Sequence, residues 1–242
     1  MSMLDLKDWL HTPQGHYLLT WEQDVLDSMV ADIFGYNAVQ IGLPGFDLLR
    51  ANRMPHRFTC ARAPGGDAMA NEFELPFASA SVDLVLLPHV LEFSAHPHRV
   101  LREVERVLVA EGSVVISGLS PLSLWGVRRL LAGRGSKPPW CGQYRTVMRI
   151  RDWMSLLGFE VQGSRFGCHA PPVSSERWLQ RWQFLDRAGA RWWPVLGAAY
   201  LLHGVKRVQG MRLITPHWRE RKSASKRLSP VAQRDAGART TQ

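Results

Sequence analysis

The sequence of 242 residues is poor in cysteine and in long apolar runs. Its three cysteines, Cys60, Cys141 and Cys168, form no CxxC pair and show no spacing typical of a metal site. A small, odd number of cysteines argues against a disulfide framework and indicates reduced thiols. The longest apolar stretch, residues 192–202, is interrupted by a proline and is too short to span a bilayer. We therefore expect a cytoplasmic protein without a membrane-spanning helix.

The chain is also short of acidic residues, and the imbalance is concentrated at one end. The net charge is +9. Residues 216–242 hold seven Lys or Arg and two acidic residues, so this segment alone carries +5. Its composition offers little apolar surface to bury, and we expect residues 215–242 to form a disordered basic tail. Such a tail is either a solvated end or a segment that attracts nucleic acid or anionic lipid. The first residues, MSMLDLKDWLHTPQ, lack the apolar core of a secretory signal.

The stretch from residue 71 to residue 118 has the pattern of a βαβ unit. Val82–Leu87 is a short, almost continuous apolar run, which is typical of a parallel strand covered on both faces. Pro97 suits the first position of a helix, and apolar residues follow it at helical spacing up to Leu108. Glu111-Gly112 then predicts the end of that helix, and a second buried strand is expected from Val114.

The same stretch resembles a known family. From Leu75 to Leu108 the chain reads LPFASASVDLVLLPHVLEFSAHPHRVLREVERVL. This is similar to the central motif of the class I S-adenosylmethionine-dependent methyltransferases with a type 11 domain, in an uncharacterised bacterial branch. The resemblance covers roughly residues 37–165. It implies a doubly wound, seven-stranded Rossmann-like α/β sheet, S-adenosylmethionine as the cofactor, and methyl transfer to an unidentified acceptor.

The resemblance places the glycine-rich cofactor loop after a first strand at residues 38–41. Gly42 and Gly45 stand in that loop, where glycines let the backbone turn tightly and approach a ligand closely. Pro44 occupies the position of the family's middle glycine and removes one backbone donor. Taken alone, GLPGF is equally typical of a plain turn. A helix is expected next, over residues 47–52.

The family's remaining cofactor contacts are implied with one departure. An acidic residue normally follows strand two and binds the ribose hydroxyls, but Arg62 stands near that place and Asp67 lies several residues late. Either Asp67 reaches back through the Gly-Gly loop, or the contact is lost. Asn71 and Glu72, just before the LPF motif and its Leu75, match the residues that meet the adenine amino group.

His89 is the only catalytic candidate that the resemblance offers. It lies at the carboxyl end of a central strand, where ligands of open α/β sheets bind. It either orients or deprotonates a substrate, or it forms a structural hydrogen bond beneath the cofactor. His96 and His98 flank Pro97 without further ligands nearby, so no metal site is expected.

Three further assignments concern the flanks of the motif. Residues 1–36 are predicted to be a helical lid, with Tyr17 and Trp21 as candidates for the substrate side. Residues 37–214 would form the methyltransferase domain, whose last strand, residues 199–208, is expected at the edge of the sheet. Arginine and tryptophan alternate between residues 174 and 193, a pattern of either a nucleic-acid face or an amphipathic helix with extended arginines.

The sequence therefore predicts a methyltransferase and leaves two alternatives open. Pro44 and the displaced acid would suit a degenerate domain that serves as a scaffold without binding cofactor. The Trp/Arg helices and the basic tail would suit a nucleic-acid-binding module, including one for which nucleic acid is the methyl acceptor.

Overall fold

The computed structural model describes residues 3–62, 64–133, 136–173, 175–182 and 184–208. The strands are β1 Asn37–Ile41, β2 His56–Ala61, β3 Ala68–Met69, β4 Val82–Pro88, β5 Leu108–Leu119, β6 Phe159–Gly167 and β7 Ala199–Lys206. The helices are α1 Met3–Leu10, α2 Pro13–Val30, α3 Val90–Phe93, α4 Pro97–Val107, α5 Leu124–Leu131, α6 Val147–Leu156, α7 Glu176–Trp182 and α8 Phe184–Trp192, and a short 3-10 helix spans Pro194–Leu196.

The strands form one seven-stranded sheet in the order β3-β2-β1-β4-β5-β7-β6. Every pair from β3 to β5 is parallel, whereas β7 is antiparallel to both of its neighbours. The chain reverses its direction across the sheet between β1 and β4, which is the topological switch point of a doubly wound fold. The predicted seven-stranded Rossmann-like α/β class is confirmed.

Helices cover both faces of the sheet. One core cluster joins buried strand residues to α4 and α6 through Val100, Val104 and Ile150. The other joins the opposite face to the N-terminal helices and α5, through Leu18 of α2 and Trp125. The central strands are buried on both faces, so they read as continuous apolar runs rather than alternating ones.

The prediction that the last strand lies at the sheet edge is wrong. β7 runs between β5 and β6, and β6 forms the edge. Residues 199–202 of β7 are almost fully buried, because this apolar run needs neighbours on both sides. Along β6 buried and exposed positions are mixed, which suits a strand with one open side.

The helix predicted over residues 47–52 is also absent, because this segment forms hydrogen-bonded turns. The buried side chain of Gln40 ties the segment down. Its Nε2 donates to the carbonyl oxygen of Phe46 at 2.9 Å, and its Oε1 accepts the Leu48 N–H at 3.1 Å. A side chain that satisfies both groups of the loop replaces the backbone bonds on which a helix would depend.

The βαβ unit is confirmed with a shifted boundary. Helix α4 ends at Val107, and β5 begins at once with Leu108 rather than near Val114. Glu111, with φ 62°, lies inside the strand, and the pairing with β4 is irregular between Val82 and Leu84. The Glu-Gly pair therefore marks an irregularity in a long strand and not the end of the helix.

The N-terminal helices belong to the packed structure, because Leu6, Leu18 and Leu26 are fully buried. Whether residues 1–36 open as a lid stays a prediction, as do the bounds of the 37–214 domain. The basic tail, residues 215–242, lies outside the described residues. Within the described part of the chain, no helix is long and apolar enough to cross a membrane. The same residues contain no group of three or more His, Cys, Asp or Glu side chains that could hold a metal ion.

Candidate functional site

The glycine loop lies where β1 ends, at the carboxyl edge of the sheet. Gly42 and Gly45 have φ angles of 90° and 101°, a region that side-chain-bearing residues rarely adopt. The Gly42 N–H donates to the carbonyl oxygen of Cys60 at 2.7 Å and so fixes the loop beside β2. A Cβ atom on Gly45 would lie 3.2 Å from Lys7 Nζ. The loop therefore has a backbone conformation that glycine adopts without strain, and Lys7 of α1 presents an ammonium group to it.

The end of β2 carries an arginine in place of a carboxylate. Arg62 Nε contacts Glu72 Oε2 at 2.5 Å, and its Nη2 donates to Asn71 Oδ1 at 2.8 Å. Asp67 points elsewhere, because its carboxylate accepts the Thr59 N–H at 2.7 Å along the edge of β2. A ribose contact from Asp67 would require this hydrogen bond to open, and the assignment stays a prediction.

Leu75 lies behind this cluster and is buried. Its N–H donates to Glu103 Oε1 at 2.7 Å, and Arg106 donates to the same carboxylate. The hydrogen bond from Arg106 is the main reason that the pKa of Glu103 is lowered, and it outweighs the opposing effect of burial. This network anchors the LPF segment to α4 and positions Asn71 and Glu72 just ahead of it.

These residues fit S-adenosylmethionine at the loop and only in part beyond it. Two glycines with positive φ make room for a close ligand, and the ammonium of Lys7 suits the carboxylate of the cofactor's amino-acid end. Asn71 and Glu72 supply acceptors for an amino group, although both are now engaged by Arg62. The carboxylate that would share the two ribose hydroxyls is missing at the end of β2.

His89 follows β4 and is enclosed between two carboxylates. It has φ 53° and a fully buried side chain. Its Nε2 lies 2.9 Å from Glu22 Oε1 of α2, and its Nδ1 lies 3.2 Å from Glu92 Oε1. Burial alone would lower the pKa of His89. The two carboxylates raise the pKa by more than burial lowers it, so the net pKa lies well above its ordinary value of 6.5. The two carboxylates therefore favour the protonated form of the ring.

Several polar atoms around His89 lack hydrogen-bond partners among the described residues. They are Glu22 Oε2, Glu92 Oε2, Ser117 Oγ and Tyr144 Oη, whereas Glu22 Oε1 and His89 Nε2 form an ion pair with each other. Buried polar groups are normally satisfied, so a group of unpaired ones is a candidate place for a ligand or an ordered water. This group lies at the carboxyl ends of β4 and β5, beside the topological switch point.

A cleft of about 890 Å³ lies between α2 and the helices α7 and α8. Both predicted substrate-side residues line it, Tyr17 and Trp21, together with Phe184 and Asp186. Tyr17 Oη donates to the two oxygens of Asp186 at 2.6 and 2.7 Å. Burial alone would raise the pKa of Asp186. Hydrogen bonds from His169 and Tyr17 lower the pKa by more than burial raises it, so the net pKa lies below the ordinary value of an aspartate. The cleft thus combines aromatic rings with an ionised carboxylate.

Sequence reasoning missed three residues that contact these sites. Lys7 approaches the glycine loop, Glu22 pairs with His89, and Asp186 holds Tyr17. Of the three, Glu22 could have been identified from the sequence. It stands four residues after Leu18 and four before Leu26, inside the apolar stripe of α2. A charged residue on a buried stripe indicates a buried partner.

Comparisons with known proteins agree with this architecture. The family model of a methyltransferase domain matches residues 51–116. The chain is 35% identical over 161 residues to the uncharacterized protein YafS of Escherichia coli, covering 65% of this chain and 67% of that protein. It is 28% identical over 173 residues to the uncharacterized protein Rv2003c of Mycobacterium tuberculosis, covering 68% of this chain and 60% of the relative's length.

The fold is likewise shared with solved structures. An S-adenosylmethionine-dependent methyltransferase of Thermotoga maritima superposes with a TM-score of 0.56 at 15% identity, over 75% of this chain and 87% of that one. The sequence motif, the sheet order and these relatives agree with one another. The chain belongs to the class I S-adenosylmethionine-dependent methyltransferase family, in its type 11 group.

Proposed function

We propose that this protein transfers a methyl group from S-adenosylmethionine to an acceptor bound at the carboxyl edge of the sheet. The observation that supports it most directly is the group of orphaned buried polar atoms around His89, at the ends of β4 and β5. A folded chain leaves such atoms unpaired only at a cost of roughly 1–3 kcal/mol each, which a bound ligand can offset. Family membership identifies methyl transfer as the chemistry to be expected there.

The cofactor would be held by residues of the loop and of the N-terminal helix. Gly42 and Gly45 would allow close backbone approach, and Lys7 would pair with the carboxylate of the amino-acid end. Asn71 and Glu72 would accept from the adenine amino group once Arg62 moves aside. Because Arg62 occupies the place of the ribose-binding acid, we expect weaker cofactor binding than in relatives that keep a carboxylate there.

The chain's own residues would act mainly by positioning the acceptor. When bound, S-adenosylmethionine supplies an activated sulfonium, so catalysis depends on holding the acceptor's nucleophile in line with the methyl group. Tyr17, Trp21 and Phe184 offer flat apolar surfaces for this purpose in the cleft, and Asp186 offers a fixed negative charge. An acceptor that carries an aromatic or aliphatic body with a polar or cationic head would match this lining.

His89 would serve the reaction by orienting carboxylates. With a raised pKa and both nitrogens against Glu22 and Glu92, it holds a proton instead of offering a lone pair. A proton released by the acceptor would therefore pass to a carboxylate or to water. The catalytic assignment of His89 stays a prediction, with orientation as its proposed role.

The decisive experiment looks for the cofactor itself. Mass spectrometry of the purified full-length protein is expected to detect S-adenosylmethionine or S-adenosylhomocysteine, and calorimetry with added S-adenosylhomocysteine is expected to show weak, saturable binding. Absence of both signals from a folded sample would favour the scaffold alternative. Binding without methyl transfer to any candidate acceptor would keep the cofactor site and reject the enzyme.

A further inference from the structure

Large apolar side chains are exposed along α5, α7 and α8 and in the short helix that follows α8. On α5, Leu130 and Leu131 are 75% and 82% exposed, and Trp192 at the end of α8 is 72% exposed. The other exposed members are Leu124, Val127, Trp178, Phe184, Trp193, Val195 and Leu196. We call these ten side chains the apolar rim. So many large exposed apolar residues on four segments of one domain are unusual on a monomer and indicate an interaction surface.

Hydrogen bonds link α5 to the chain segments that flank α7 and the short helix. The Ser120 N–H, just before α5, donates to the carbonyl oxygen of Ala198, just after the short helix, at 2.8 Å. Trp125 Nε1 of α5 donates to the carbonyl oxygen of Ala170 at 2.9 Å, and Arg128 donates to that of Pro172 at 2.8 Å. The chain from residue 170 then leads into α7. The apolar rim therefore borders the carboxyl edge of the sheet near β5 and β6.

The helices that carry the apolar rim are basic. Together, α5, α7 and α8 contain six arginines, Arg128, Arg129, Arg177, Arg181, Arg187 and Arg191, and two acidic residues, Glu176 and Asp186, which gives +4. Asp186 is already engaged by Tyr17. Arg177, Arg181 and Arg191 are exposed, and the guanidinium of Arg181 lies 5.9 Å from the centre of the exposed Trp178 ring.

We infer that the apolar rim binds the surface of an anionic lipid bilayer. Tryptophan prefers the boundary between headgroups and acyl chains, and arginine can bury its stem there while its guanidinium reaches phosphate. Short basic helices with one apolar face bind in the plane of this boundary without spanning the membrane. Two observations point to an anionic bilayer as the partner: the exposed Trp and Leu side chains, and the net charge of +4 on α5, α7 and α8.

The aliphatic members of the apolar rim favour lipid over nucleic acid. Single-stranded nucleic acid is bound by stacking bases on aromatic rings and by pairing phosphates with cations. Leu130, Leu131 and Leu196 have no aromatic face, and their exposure next to RNA would bring no comparable gain. Acyl chains accept leucine and tryptophan alike, because burial of either removes apolar area from water. The inference concerns this surface alone and does not depend on methyl transfer.

The test is sedimentation of the full-length protein with lipid vesicles. One set of vesicles contains phosphatidylcholine alone and the other a mixture with phosphatidylglycerol. Two variants alter the apolar rim: Leu130→Ser with Leu131→Ser on α5, and Trp192→Ser with Trp193→Ser at the end of α8 and directly after it. The matched control is Met148→Ser with Leu156→Ser, whose side chains are 76% and 84% exposed on α6, across the sheet. All these side chains are exposed, so the variants are expected to fold, which circular dichroism verifies.

The expected result is binding to the anionic vesicles, weakened by about tenfold or more in each rim variant and unchanged in the control. Equal binding by the wild type and both rim variants would overturn the inference, and would assign any lipid binding to the basic residues beyond the described part of the chain. Failure of the wild type to bind anionic vesicles would overturn it too. Two other outcomes would also overturn the inference. In one, the rim variants lose affinity for single-stranded RNA but keep their affinity for vesicles. In the other, the rim variants lose only their self-association in gel filtration.

Discussion

Glu22 Oε1 of α2 lies 2.9 Å from His89 Nε2 at the end of β4, and both side chains are fully buried. This contact joins the N-terminal helices to the centre of the sheet. Glu92 completes the group from the other side of the ring, and its Oε1 also accepts the Leu119 N–H of β5. Glu22, His89 and Glu92 thus link α2, β4 and β5 at the carboxyl edge of the sheet, where ligands of open α/β sheets bind.

The first prediction concerns the pH dependence of stability. The pKa of His89 is raised in the folded protein, so folding takes up a proton above the ordinary pKa of 6.5. The resulting stabilisation is complete below pH 6.5 and is lost as the pH rises through the higher folded-state pKa. The free energy of unfolding, measured with urea over a pH series, is therefore expected to decline from neutral to alkaline pH.

The Glu22→Gln variant tests the origin of this decline. Removing one carboxylate lowers the pKa of His89, so the decline is expected to begin at a lower pH. The loss of a buried charge partner is expected to cost about 3 kcal/mol at neutral pH. Asp24→Asn, at an exposed position of the same helix, serves as the control and should follow the wild type. Parallel pH profiles for Glu22→Gln and the wild type would show that the pair does not set the pKa of His89.

The second prediction concerns the glycine loop. Gly45→Val is expected to weaken S-adenosylhomocysteine binding by at least about tenfold, because a branched side chain at φ 101° both strains the backbone and fills the space beside Lys7. Gly133 has φ 74°, and a Cβ atom added there would have no neighbour within 4 Å, so Gly133→Val isolates the backbone cost, about 1–2 kcal/mol. Calorimetry and urea unfolding of both variants separate the two effects. If both variants bind equally well, GLPGF is a plain turn.

The elements that the sequence predicted well are those whose signals are local. β4 is bounded by turn residues, and α4 begins at Pro97 with a regular apolar stripe, so each could be recognised from a few consecutive residues. The prediction of a helix at residues 47–52 was wrong because the side chain of Gln40, several residues earlier, forms hydrogen bonds with backbone groups of this loop. The prediction that β7 lies at the sheet edge was wrong because strand order depends on contacts between residues that are far apart in the sequence.

The candidate site was harder to predict for the same reason. Positions within the family motif could be located from the motif, whereas their partners come from other parts of the chain. Glu22 is separated from His89 by 67 residues, and Tyr17 from Asp186 by 169. No local pattern encodes such pairs. The direction of Asp67, turned toward Thr59, likewise depends on how the Gly-Gly loop closes and not on the spacing to β2.

The third prediction concerns Tyr17 in the cleft. Its hydroxyl donates to Asp186 and accepts the Ala170 N–H at 3.3 Å. Tyr17→Phe removes a hydrogen bond to a charged group, which should lower the free energy of unfolding by about 1.5–3 kcal/mol. Tyr36→Phe provides the control, because Tyr36 is largely exposed and should lose almost nothing. Equal stability of the two variants in urea unfolding would mean that the Tyr17–Asp186 pair contributes no net stability.

The last prediction is a gain of cofactor affinity. Arg62 stands at the end of β2, where the family has an acid, and it also engages Glu72 and Asn71. Arg62→Asp should therefore add a carboxylate for the two ribose hydroxyls and release both adenine-side residues. Hydrogen bonds to a charged group contribute roughly 1.5–3 kcal/mol, so affinity for S-adenosylhomocysteine is expected to rise about tenfold or more.

Two comparisons separate the new contact from the lost ion pair. Arg62→Ala breaks the pair with Glu72 without supplying a carboxylate, so its affinity should rise less than that of Arg62→Asp. A ligand analogue that lacks the ribose 2′-hydroxyl should lose most of the additional gain of Arg62→Asp, because one of the two hydroxyl donors is then missing. Calorimetry of both variants with both ligands gives the four affinities required. An Arg62→Asp variant that binds no better than Arg62→Ala, or that gains equally for both ligands, would show that the ribose does not lie at the end of β2.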